Sequence, residues 1–102
     1  MKEEFKKWLC EKAKEEYKTI IDRHYYTGKP IYRINKITLE TLIKAMWAIN
    51  REGEWNIKLD SHCIVFHSRK DYCDDMYDFT EYSEQKALKK ALEYIYEQEL
   101  NK

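Results

Sequence analysis

A chain of 102 residues, 43% hydrophobic and 15% aromatic with two glycines and one proline, has room for one domain, 1–102, and is too rich in core-forming residues to be disordered. Basic and acidic side chains number 19 each, so no net charge draws the whole molecule to nucleic acid or a membrane, yet residues 1–51 hold 12 basic against 7 acidic groups and residues 52–102 the reverse. No stretch approaches the roughly 20 apolar residues of a membrane span; Cys10, Cys63 and Cys73 follow no apolar signal segment and lack C-x-x-C spacing, which fits reduced thiols in a cytoplasm.

The first predicted helix covers residues 2–22. Phe5, Leu9, Ala13, Tyr17, Ile20 and His24 recur at three or four residues, with Trp8 and Ile21 beside them and Lys and Glu elsewhere. It ends before Thr27, Gly28, Lys29 and Pro30, because Gly28 accepts positive φ and Pro30 disfavours α geometry at Lys29. Ile31, Tyr32, Arg33 and Ile34 form a short extended piece. The second helix starts at Thr38, a capping residue, with Ile37 and Leu42 spaced as a hydrophobic staple. Its apolar face of Leu39, Leu42, Ile43, Met46, Trp47 and Ile49 runs to about Arg51, and Gly53 supplies a left-handed stop.

The period then changes to two. Trp55, Ile57 and Leu59 alternate with Asn56, Lys58 and Asp60, and after a turn at residues 60–62 a second strand follows through Cys63, Ile64, Val65, Phe66 and His67. The acidic segment 71–84 separates this hairpin from a last helix over 84–99, capped by Ser83 and burying Leu88, Ala91, Leu92, Ile95 and Leu100. The order predicts an α+β fold: three helices packed with a small antiparallel sheet built around a hairpin at about 54–68. Two strands make a weak platform, so a third from residues 31–34 or 71–79, or pairing across a homodimer, completes it.

The run from Ile37 through Thr38, Leu42, Ala45 and Trp47, the pair of strands through Trp55 and Phe66, and the helix around Ala87 and Tyr96 resemble small phage proteins with an α-β-α sandwich domain. The resemblance covers residues 37–96 and leaves the first helix and the acidic segment outside the pattern. It implies a phage or mobile-element origin, in a host cell's cytoplasm, and transfers no catalytic residue.

Chemistry-bearing clusters are sparse. His62 or His67 with Cys73 and an acid is a conceivable zinc set, but structural zinc prefers two close ligand pairs, and edge imidazoles are the plainer reading. Cysteine catalysis is disfavoured: Cys63 reads as core, Cys10 as peripheral to the Phe5/Leu9 stripe, and the carboxylates around Cys73 raise its pKa. No catalytic residue, metal or cofactor is therefore assigned, and a small enzyme or metal-binding domain is the third reading.

Segment 71–84 places six acids among five large apolar side chains without a Lys or Arg. Six carboxylates alone amount to a solvated surface. Interleaved with rings that act as anchors, they fit a partner with a basic surface. The expected partner-binding residues are Asp71, Tyr72, Asp74, Asp75, Tyr77, Asp78, Glu81, Tyr82 and Glu84, with Phe79 and either Tyr72 or Met76 buried and Tyr77 and Tyr82 more exposed. The first functional expectation is thus a phage accessory protein, monomer or homodimer, that holds a host protein. An inhibitor of a nucleic-acid-processing or defence enzyme, anti-CRISPR proteins included, is one form. The alternative is a DNA- or RNA-binding domain using Lys6, Lys7, Lys14, Lys18, Arg23, Lys29 and Arg33, with the helix lysines diluted by Glu3, Glu4, Glu11, Glu15 and Glu16.

Overall fold

The computed structural model describes residues 3–34, 37–71 and 74–101, in the order α1 (Glu3–Ala13), β1 (Lys18–Arg23), β2 (Pro30–Ile34), α2 (Leu39–Glu52), β3 (Trp55–Leu59), β4 (Cys63–Ser68), β5 (Asp75–Asp78) and α3 (Glu84–Leu100). Three helices and two antiparallel sheets, β1-β2 and β3-β4-β5, make the α+β fold.

The first helix stops nine residues short of its expected end at Asp22, and the chain turns into a strand instead. Lys14 takes φ 56°, the Glu15 N–H reaches the Cys10 carbonyl at 2.8 Å, and the Lys14 N–H reaches that of Glu11 at 3.2 Å. This is a Schellman stop, built without the usual glycine. Past it, Thr19, Ile20 and Ile21 favour extended backbone; Thr19 and Ile20 pair with Arg33 and Tyr32 of β2, and Ile21 falls at a shift in the register. The periodicity from Phe5 to Ala13 is a true helical stripe, and all three of Phe5, Leu9 and Ala13 are buried. Beyond Ala13 the same spacing is coincidence.

The other helices follow their signals. Thr38 Oγ1 accepts the Thr41 N–H at 3.3 Å to start α2, and Gly53 ends it at φ 88°. Ser83 Oγ accepts the Lys86 N–H at 3.2 Å to start α3. One face of β3-β4-β5 carries Trp55, Ile57, Ile64 and Phe66, all buried against α2 and α3. Ala45, Ala87 and Ala91 are buried in the same core, so the helices that cover the sheet approach it with small side chains, and α1 closes over α2 with Phe5 and Leu9. Three expected core members stay outside: Trp47, Leu59 and Leu100 are exposed.

Strand register decides the acidic segment. Phe66 pairs with Asp75, Val65 with Met76, Ile64 with Tyr77 and Cys63 with Asp78. Tyr77 therefore shares the helix side with Ile64, whereas Met76 lies on the opposite side and is 60% exposed. Tyr77, expected to be more exposed, is therefore half-buried, and of the alternatives Tyr72 and Met76 it is not Met76 that is buried. Register likewise sets Cys63, with Val65 and His67, on the side of the sheet away from Ile64 and Phe66, so it is half-buried and not core. Cys10, expected to be peripheral, is buried.

Candidate functional site

Among the described elements, β1 and β2 approach only each other; no helix and no other strand packs on them. The molecule is correspondingly elongated, 56 × 31 × 20 Å. Its root is fixed by Glu15, the residue after the helix stop. Glu15 accepts the buried Thr41 hydroxyl at 2.8 Å and the Lys44 ammonium at 3.3 Å, tying the chain leaving α1 to α2. The Lys44 bond to Glu40, and after it that to Glu15, hold the Lys44 pKa above its ordinary value.

Residues 18–34 carry four basic side chains and one acidic one, with His24, Tyr25, Tyr26 and Tyr32 among them. Apolar groups that a fold normally hides are in water here: Ile21 at 56%, Tyr32 at 52%, Tyr25 at 91% and Tyr26 at 86% exposure. The tip is ordered from within. His24 donates its N–H to the Lys29 carbonyl at 2.8 Å and accepts the Gly28 N–H at its own carbonyl at 2.9 Å. Its Nδ1 accepts the Tyr26 and Thr27 amides, both at 3.3 Å, and Thr27 Oγ1 accepts the Lys29 amide at 3.4 Å. Gly28, at φ 67°, is where the turn requires left-handed backbone. Arg23 anchors one guanidinium nitrogen on the Gly28 carbonyl at 3.3 Å.

The expected basic residues divide accordingly. Arg23 and Lys29 are exposed at the tip, and Lys18 and Arg33 occupy paired strand positions near the root. Lys6, Lys7 and Lys14 belong to α1 and its stop, where Lys7 stands over the Tyr17 ring at 5.6 Å.

The acidic candidates are less united. Asp74 pairs with His67 Nδ1 at 2.9 Å, and Asp78 accepts the Thr80 N–H at 2.8 Å, a bond that holds its carboxyl below the usual range. Asp71, Asp75, Glu81 and Glu84 are exposed. Tyr77 stacks on Phe66 at 5.8 Å between centroids and meets Tyr82 edge-on at 5.9 Å, and Lys90 caps the Tyr82 ring at 4.9 Å. Both tyrosines pack against the core, so the rings expected as anchors are engaged internally. Tyr72, and Cys73 with its zinc set, lie outside the described residues. Among the described residues, no three His, Cys, Asp or Glu side chains gather as metal ligands would, and no helix is long and apolar enough to cross a membrane.

One feature of the sheet was invisible in the sequence. The Asn50 side chain accepts the Ile57 N–H at 2.8 Å and donates to the Ile57 carbonyl at 3.0 Å. It occupies the outer edge of β3 as a neighbouring strand would, and so closes that edge. At the other end, the Phe79 N–H bond to the His62 carbonyl at 2.9 Å fixes the alternation, so Met76 turns its backbone polar groups away from β4. The acidic β5 edge is thus the one without a side-chain plug among the described residues.

Comparison with protein-family models, with curated proteins and with solved structures gave no match.

Proposed function

We propose that the chain is a nucleic-acid-binding protein and that the β1-β2 hairpin is its contact element. The observation that carries this reading is a basic, tyrosine-bearing arm whose described side chains, from Ile21 to Tyr32, are all exposed. Lone two-stranded hairpins gain little from folding in water, so their exposed side chains point to a contact outside the chain. Four basic groups supply phosphate contacts beside the exposed rings. Titration of a fluorescent oligonucleotide between about 50 and about 200 mM salt tests it. Four phosphate contacts give a log-log slope of about −3 to −4, and changing Arg23 and Lys29 to Ala flattens it. Absence of binding at the lowest salt sinks the reading.

A second reading is favoured by the open β5 edge. An acidic edge strand that begins at exposed Asp75 and is preceded by exposed Asp74 suits a basic extended segment of a protein partner, in line with a phage accessory protein that occupies a host enzyme's basic surface. Met76→Pro deletes the outward N–H at the middle of this edge. It is expected to abolish capture of such a partner while the helical signal stays native; capture unaffected by Met76→Pro and by Asp75→Lys removes this reading.

A further inference from the structure

The tip of the arm narrows the class of nucleic acid. We propose that it selects single strands, with bases stacking on Tyr25 and Tyr26; this rests on the hairpin being a nucleic-acid contact. The two rings stand at 89° with centroids 5.0 Å apart, and at 91% and 86% exposure each leaves ring surface in water. No part of the body gains from this placement, since β1 and β2 touch no other element.

In a duplex the bases stack on one another and offer only edges and backbone, so a protruding phenol face finds no flat partner there. An unpaired base offers its face, and stacking is indifferent to base identity. Phosphate recognition at the tip must come from side chains. The amides of His24, Tyr26, Thr27, Gly28 and Lys29 are all occupied within the turn, so they form no free anion-binding nest. Arg23 and Lys29 bracket the ring pair in sequence, at the facing ends of the turn, and are exposed. The same internal bonds hold the turn before any ligand arrives, which limits the ordering cost of binding. The turn thus combines exposed aromatic rings with two exposed cations, the combination by which single strands are held.

The test compares the whole chain with two double variants, Tyr25→Ala/Tyr26→Ala and Tyr25→Phe/Tyr26→Phe, against a labelled oligo-dT of about 20 nucleotides and a duplex of equal length. The expected result is at least about 10-fold tighter binding of oligo-dT than of duplex, a loss of at least about 10-fold in the Ala pair, and retention in the Phe pair. Because no charge is removed, the Ala pair keeps the salt slope, whereas Arg23→Ala or Lys29→Ala each lowers it by about 0.7. Equal or tighter binding of duplex, an unchanged Ala pair, or equal losses in the Ala and Phe pairs overturns the stacking platform and leaves the arm as a phosphate contact. No binding of either oligonucleotide overturns the arm itself.

Discussion

Replacing Asn50 isolates the side chain that closes β3. In the native protein its amide makes two bonds to one residue, 2.8 Å from the Ile57 N–H and 3.0 Å to the Ile57 carbonyl, and it is half-buried there. Asn50→Ala loses both, at a net cost of about 1 kcal/mol each, with a further fraction because the freed Ile57 groups lie beside a buried side chain. The expected loss is about 2–3 kcal/mol, which for a domain of this size lowers Tm by roughly 10–20 °C. Asn50→Asp is the sharper variant. Near neutral pH its carboxylate still accepts the Ile57 N–H but confronts the Ile57 carbonyl with no donor; protonation restores an O–H. The folded state therefore raises this carboxyl above its ordinary value of about 3.9. A proton bound more tightly when folded means stability falls as pH rises through the raised value, so the deficit is smallest below about pH 4 and full at pH 7. Urea unfolding followed by tryptophan fluorescence across this range measures both effects. An Ala variant within about 0.5 kcal/mol of the native protein, or an Asp variant with a pH-independent deficit, refutes the plug.

Lys14→Gly should stabilise the protein by about 1 kcal/mol, because Lys14 is held at φ 56° where a Cβ is penalised; calorimetry reads it as a higher Tm. Burial, and then the Glu15 carboxylate, push the Cys10 thiol above its ordinary pKa, so it should resist alkylation at pH 8 in the native state while half-exposed Cys63 reacts, and mass-mapped labelling distinguishes them. The raised Cys10 value also means that its stabilising contribution is present below the ordinary thiol pKa and disappears as pH rises through the folded one. For Asp78 the sign is opposite. The Thr80 N–H bond lowers its carboxyl, so its contribution is present above the ordinary carboxylate range and is lost as pH falls through the lowered value; carboxyl-resolved NMR titration should show it.

What the sequence announced was whatever local chemistry decides alone. Thr38 and Gly53 bracket α2, Ser83 starts α3, and the alternation from Trp55 to Leu59 is a strand with one wet face. The extended piece around Ile31 was legible for the same reason, and one of the two positions foreseen for a third strand of the main sheet is β5. The end of α1 was hidden because Lys14 adopts left-handed backbone without being Gly or Asn, and because Tyr17, Ile20 and His24 happened to continue a helical spacing. The β-branched run Thr19, Ile20, Ile21, followed by a turn containing Gly28 and then by Ile31 and Tyr32, was the signal for a hairpin. The placements of Tyr77, Met76 and Cys63 depended on strand register, in which a shift of one residue exchanges inside for outside. The Asn50 plug needs two elements already in place, and no local pattern announces it.

Lys18 and Ile34 are partners in the ladder, so the chain leaves for the arm and returns from it across a gap of only about 5 Å. A loop of a few residues can span that gap at modest entropic cost. The arm is consequently a cassette: its exposed stretch from Ile21 to Tyr32 can be exchanged, shortened or removed without disturbing the packing of three helices on three strands. Selection acting on what the protein touches is then uncoupled from selection acting on whether it folds, and the two can change at independent rates.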